Sequence, residues 1–200
     1  MSRGAVTRQR LLEEAIRRFG AQGYEGTSLD EVAGAAGVRK QTLLYHFPGK
    51  EALLQACVTE TSGRVAAELA EALDRETSNM RKVEAVIHTV FQLAEEWPEF
   101  GQFVREASRL GPDVVERFAT ALEPLRQRAL TFLARAMDER LIARQDPALL
   151  LFTLYTAVVG SITEAGVLRA VVGEDESRAA LKEREEQLLL LVRAAIRSGP

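Results

Sequence analysis

The sequence predicts an all-α protein, and three observations carry that expectation. Apolar residues recur at three- and four-residue spacings along most of the chain, proline and glycine interrupt the pattern at helix-length intervals, and no segment makes a convincing strand, repeat or low-complexity linker. Two hundred residues, 46% of them hydrophobic and 28% charged, suit one or two globular domains with a sizeable core. The net charge of −3 is unevenly placed: residues 1–50 hold eight Lys/Arg against five Asp/Glu, a net +3, which leaves −6 for residues 51–200. A basic head on an acidic body is expected where only one end meets phosphates, although chance variation in surface charge produces the same imbalance.

In the head, Leu11, Leu12, Ala15, Ile16 and Phe19 follow helical spacing from Thr7, and Gly20 with Gly23 supplies a stop. Arg8 and Arg10 stand near the helix start, where the dipole disfavours cations, so they reach toward phosphate or are simply solvated. Thr27 or Ser28 caps a second helix whose first turn holds Asp30 and Glu31 and whose buried face is Leu29, Val32, Ala33 and Ala36. Gly37 ends it with a residue free to take positive φ, and Val38 plugs the turn. A third helix follows through Phe47. At 100° per residue, Leu43 and Phe47 face the protein, Gln41, Thr42 and Tyr45 project outward, and Lys40, Leu44 and His46 lie on the rims. An amide, a hydroxyl and a phenol on one exposed face can hydrogen-bond to base edges in a major groove, as an ordinary amphipathic surface helix also could by accident. Small Ala33 lets that helix approach closely and Leu43 anchors it. The order helix, glycine turn, short helix with a polar outer face is the helix-turn-helix plan.

The run Phe19-Gly20-Ala21-Gln22-Gly23-Tyr24-Glu25-Gly26-Thr27-Ser28-Leu29-Asp30-Glu31-Val32-Ala33, then Ala36-Gly37-Val38 and Leu43 to Leu53, resembles the DNA-binding domain of the TetR family of transcriptional regulators. The likeness covers about a quarter of the chain. It implies that Lys40, Gln41, Thr42 and Tyr45 face bases, and that Thr27, His46 and Lys50 hold the phosphate backbone. Two positions depart from the family pattern. Arg39 stands where a small capping residue is usual, and Leu44 stands where a tyrosine often contacts phosphate. Arg39 is the candidate to replace that contact, and Leu44 is left for a thymine methyl or for packing.

Beyond Pro48-Gly49, a helix from Glu51 to about Leu73 belongs to both halves of the protein. Further helices are expected over Met80 to Glu96, Glu99 to Leu110, Asp113 to Arg140 with a possible kink at Pro124, Pro147 to Val172, and Asp175 to Arg197. The expected division is a three-helix helix-turn-helix DNA-binding domain over residues 1–50, joined to a helical bundle for ligand binding and dimerisation over residues 51–200. The family resemblance implies a ligand chamber in that bundle. Phe91, Trp97, Phe100, Phe103, Phe118, Phe132 and Tyr155 are its candidate walls, and His88, Arg105, Glu106, Tyr155 and Glu164 its candidate polar anchors. Each aromatic fits equally well in an ordinary core. The last two helices point to self-association: Ala148 to Val158 is apolar nearly all round, and Leu181, Leu188, Val192 and Ile196 form a stripe widened by Leu189, Leu190 and Leu191. Paired with their copies across a twofold axis they make a four-helix homodimer interface, the alternative being wholly internal burial of both helices.

Other classes find less support. The chain has no nucleophile with a base at diagnostic spacing and no phosphate-cradling glycine loop. With Cys57 its one cysteine and only two histidines, it offers no dedicated metal set. No catalytic residue, metal or cofactor is expected. The N-terminus lacks the apolar core of a signal peptide, and Ala148 to Ile162 is too short and too polar for a membrane span, so a cytoplasmic protein without membrane contact is expected. The expected function is a homodimeric repressor that binds a near-palindromic double-stranded DNA operator and is released by a small, largely apolar effector. The alternative is a small-molecule carrier or interaction module on the same fold without DNA binding.

Overall fold

The computed structural model describes residues 3–173 and 177–197, and among them every regular element is helical. In chain order the helices are α1 (Arg3–Gly26), α2 (Leu29–Ala35), α3 (Lys40–His46), α4 (Lys50–Arg75), α5 (Asn79–Glu96), α6 (Glu99–Arg109), α7 (Pro112–Asp138), α8 (Pro147–Thr163), α9 (Ala165–Val172) and α10 (Arg178–Arg197). None of the described helices is long and apolar enough to cross a membrane.

Three boundaries differ from the sequence expectation. α1 begins at Arg3 and runs straight past Gly20; its break comes at Gly23, with φ 78° and ψ 165°. Gly20 is instead a packing position: a Cβ there would lie 3.1 Å from both the Glu99 carbonyl oxygen and the Phe103 nitrogen, so the missing side chain lets α6 rest directly on α1. The expected helix from Pro147 to Val172 is two helices. It stops at Glu164 (φ −99°, ψ 40°), inside a stretch where Gly160, Ser161, Thr163 and Gly166 are all weak helix formers. The chain passes Pro124 within one continuous α7. The start expected for the last helix, Asp175, lies outside the described residues, as does the side chain of Ile196.

The chain divides into two compact units. The first holds α1, α2, α3, the part of α4 up to Arg64, and Trp97–Ala121, which contains α6 and the start of α7. Its core is continuous: Leu11, Leu12, Ala15, Ile16 and Phe19 of α1 pack with Val32, Ala33, Leu43, Phe47, Leu53, Leu54, Cys57 and Val58, and with Phe103 and Ala107 from α6. Burial pushes the Cys57 thiol well above its ordinary range, so it acts as a small apolar core group. The second unit holds Val65–Glu96 and the described residues from Leu122 onward. Ile87 and Phe91 of α5 meet Leu188 and Val192 of α10, flanked by Val83, Leu154, Ala157, Val158 and Ile162.

Candidate nucleic-acid interface

α2 is fixed at both ends by local chemistry. Ser28 is the N-cap: its hydroxyl accepts from the Glu31 amide at 3.2 Å, and the Glu31 carboxylate accepts from the Ser28 amide at 2.8 Å, closing a capping box. The Ser28 amide and, second, the Ser28 hydroxyl, which donates to the same carboxylate oxygen at 2.8 Å, hold the Glu31 carboxyl below the usual carboxylate range. Thr27, the other candidate cap, is buried, and its hydroxyl donates to the Gly23 carbonyl at 2.9 Å. At the other end Gly37 takes φ 66°, and the Val38 amide returns to the Ala33 carbonyl at 2.9 Å. The Arg10 guanidinium donates to the carbonyl of buried Ala36 at 2.6 Å, satisfying an acceptor left over at the helix end. Arg8 lies over the Phe47 ring at 5.2 Å. Both arginines therefore have partners within the head, which their position on α1 did not reveal.

This frame aims α3. Leu43 and Phe47 are buried beneath it, while Gln41 and Tyr45 stand in solvent, Tyr45 with 85% of its surface exposed. Thr42 and His46 are half-buried on one flank, and the His46 ring meets Tyr45 edge-on at 5.2 Å. Leu44 is 39% exposed on the opposite flank. Arg39 is the N-cap residue and its side chain makes no capping bond, so its guanidinium is not engaged at the helix start. Lys40 is held by Asp30 of α2, with Nζ 2.7 Å from the carboxylate. Lys50 opens α4, with its ammonium 4.4 Å from the Tyr24 ring centroid and 3.3 Å from the Glu25 carbonyl oxygen. The seven exposed or half-exposed candidates thus gather on α3 and its two flanks. Thr27 stands apart because its side chain is buried and already bonded.

The residues expected around a ligand are not gathered in one place. Trp97, Phe100, Phe103, Arg105, Glu106 and Phe118 lie in the first unit. Phe103 is fully buried there, Trp97 and Phe118 pack against the same core, and Trp97 stacks on Phe100 at 5.7 Å under the Arg64 guanidinium. Glu106 accepts from the Tyr24 amide at 2.7 Å, and Arg105 is exposed. In the second unit Phe91 is core, Tyr155 is half exposed and stacked on Phe152, and Glu164 ends α8. His88 faces solvent with Nδ1 2.8 Å from Glu185. Two open grooves lie on this unit. One, of about 560 Å³, is lined by Lys82, Arg128, Phe132 and Arg135 among others; the other, of about 440 Å³, by Glu84, His88, Glu185 and Arg193. Aromatic spacing marked core, as it does in most helical proteins, and gave no notice of grooves walled by charged side chains.

A buried anchor, a glycine turn and a short helix with polar groups on its exposed face make the helix-turn-helix plan. Residues 11–57 match the family described as bacterial regulatory proteins, tetR family. The chain is 25% identical over 170 residues to HTH-type transcriptional regulator RutR of Escherichia coli (strain K12), covering 84% of this chain and 80% of RutR. Among solved structures it is similar to AibR in complex with isovaleryl coenzyme A and operator DNA, with a TM-score of 0.77 at 18% identity, over 92% of this chain and 97% of AibR. It is similar also to the ketosteroid transcriptional regulator KstR2 of Mycobacterium tuberculosis, with a TM-score of 0.75 at 18% identity over 94% of each chain. Residues 11–57 thus carry the tetR-family match, and the similarity to the solved structures extends the shared fold over more than nine-tenths of the chain.

Proposed function

We propose that this protein is a homodimeric repressor whose two copies of α3 enter successive major grooves of a near-palindromic operator, and whose second unit takes up a small effector that releases the DNA. The observation that carries the reading is α3 itself: exposed Gln41 and Tyr45, with half-buried Thr42 beside them, set over buried Leu43 and Phe47. Gln41 and Tyr45 reach base edges, Lys40 works from the α2 side, and His46, Lys50 and Arg39 hold phosphates. Residues 1–50 are the DNA-reading part and residues 51–200 serve effector binding and pairing.

Dimerisation is supported by apolar surface that a single chain leaves in water. Leu149, Phe152 and Tyr155 of α8 and Leu190 and Leu191 of α10 are each at least half exposed. Side chains of this size in neighbouring turns make the contiguous apolar surface that association removes from solvent. Effector response is supported by the fold shared with AibR, a protein solved with both isovaleryl coenzyme A and operator DNA. The effector acts by binding the DNA-incompetent arrangement of the dimer more tightly, since equal affinity for both arrangements shifts nothing.

Selection of bound fragments from a random DNA pool tests this directly. A near-palindrome with half-sites spaced by about one helical turn, or a multiple of it, is expected. Recovery of unenriched sequence would remove the DNA-reading role. With the operator in hand, Tyr45→Ala and Gln41→Ala should each relax sequence preference by about 1–3 kcal/mol, whereas Lys50→Ala should weaken all DNA and flatten the salt dependence.

A further inference from the structure

We propose that Glu106 on α6 is a positioning residue for the DNA contact made by Lys50, acting through Tyr24. The inference rests on the DNA-binding reading above. It begins with Gly23. With φ 78° and ψ 165°, this residue takes the end of α1 out of helical register. The Tyr24 amide finds its acceptor outside the helix, on Glu106 Oε1 at 2.7 Å, 82 residues further along the chain. The contact is built closely. A Cβ on Gly23 would lie 3.1 Å from the same Oε1, and the missing side chain of Gly20 lets the α6 backbone approach α1 one turn earlier.

Tyr24 then bears on the phosphate-binding side. Its ring packs against buried Phe19 with centroids 5.6 Å apart and planes tilted by 41°, and the Lys50 ammonium sits 4.4 Å from the Tyr24 ring centroid. Burial, followed by Glu51 and Glu25, raises the Tyr24 phenol above its ordinary range, so the ring stays neutral under the cation. The Tyr24 carbonyl also accepts from the Thr27 amide at 3.3 Å, at the entrance to α2. A charged acceptor on the Tyr24 backbone therefore fixes the platform on which Lys50 rests. A lysine has a long flexible stem and loses rotamer freedom when it grips a phosphate, so holding its ammonium in place beforehand reduces that cost. Nothing in the helix-turn-helix segment alone supplies this restraint, because the acceptor comes from α6.

The test uses the full-length protein and its selected operator, with affinity measured over a range of salt concentrations and folding checked by thermal unfolding. Glu106→Ala should lose affinity on the order of tenfold, as for a hydrogen bond to a charged group. It should also reduce the slope of log affinity against log salt by about one, the signature of one lost phosphate contact. Glu106→Gln, whose amide oxygen can accept the same N–H, should restore both. In a Lys50→Ala background Glu106→Ala should cost nothing further, since its effect passes through the missing ammonium. Equal losses in the two backgrounds, or an unchanged salt slope, would overturn the proposal. If Glu106→Ala does not fold, Tyr24→Leu carries the test: it keeps the backbone bond and removes the ring, so it must give the shallower slope, and a wild-type slope overturns the proposal. Lys50→Ala binding like wild type would overturn this inference together with the phosphate role of Lys50. A Lys50→Ala loss with no Glu106→Ala loss would overturn the inference alone.

Discussion

The first unit finishes its packing within one chain and the second does not. In the first, Leu11, Leu12, Phe19, Leu43, Leu53 and Phe103 have no exposed surface, and its exposed large hydrophobics, Val6, Leu44, Tyr45 and Val115, are scattered over α1, α3 and α7. In the second, α8 is apolar nearly all round yet contains no buried residue, and Phe152, Leu149, Val171 and Leu191 all have more than 60% of their surface in solvent. The difference separates two meanings of an exposed apolar residue. On α3 such residues are few and are placed among polar groups; on α8 and α10 they are many and adjacent. The first pattern fits the proposed DNA-reading surface, and the second the proposed interface with a second copy.

Breaking each kind of packing should therefore give different readouts. Phe19→Ala empties the core of the first unit and should cost about 3–5 kcal/mol in chemical denaturation. Phe152→Glu should leave the stability of the isolated chain nearly unchanged but weaken self-association by about 3–5 kcal/mol, because it buries an unpaired charge. Sedimentation equilibrium at several concentrations decides the point, and a wild-type dimer would remove α8 from the interface. Gly20→Ala should destabilise by roughly 1–2 kcal/mol despite alanine's better helix propensity, since the atoms it meets are α6 backbone and cannot rotate away. Thermal unfolding of this variant measures how firmly α6 belongs to the first unit.

Smaller effects probe α3 and its frame. If Leu44 reads a thymine methyl, replacing that thymine by uracil should cost about 0.8 kcal/mol, the value of one buried methyl-sized group, in the wild type and nothing in Leu44→Ala. Equal losses in both proteins would leave Leu44 as packing. The Glu31 carboxyl is lowered in the folded state, so its contribution to stability is complete above the ordinary carboxylate range and is lost as pH falls through the lower folded value. Ser28→Ala, which breaks the capping box, should cost about 1 kcal/mol at neutral pH and flatten the acid limb of the stability curve. An acid limb identical to wild type would assign that pH dependence to other carboxylates.

Much of the head was legible because its signals are local. The capping residues of α2, Gly37, and the 3.6-residue spacing that buries Leu43 and Phe47 all act within one or two turns, so the chain displays them in order. Between Thr27 and Ser28 the sequence left the cap open, and the structure chose Ser28 because the Thr27 hydroxyl turns inward to Gly23. Arg8 and Arg10 were less legible. A cation near a helix start looks the same whether it seeks phosphate, water, a carbonyl such as that of Ala36, or the face of Phe47. The aromatics of the middle helices gave the least guidance, because Phe103 in the first unit and Phe91 in the second carry the same local pattern and belong to different cores.

The sequence by itself determined an all-helical chain, the place of the helix-turn-helix and the face that α3 turns outward. Those follow from periodicity, caps and positive-φ glycines, which are properties of neighbouring residues. The tertiary structure decided that α6 packs with α1, that Gly20 is a contact rather than a stop, and that Glu106 completes the hydrogen bonding of Tyr24. Each of these joins residues about eighty positions apart, and no local pattern encodes which distant backbone a small residue or a carboxylate will meet.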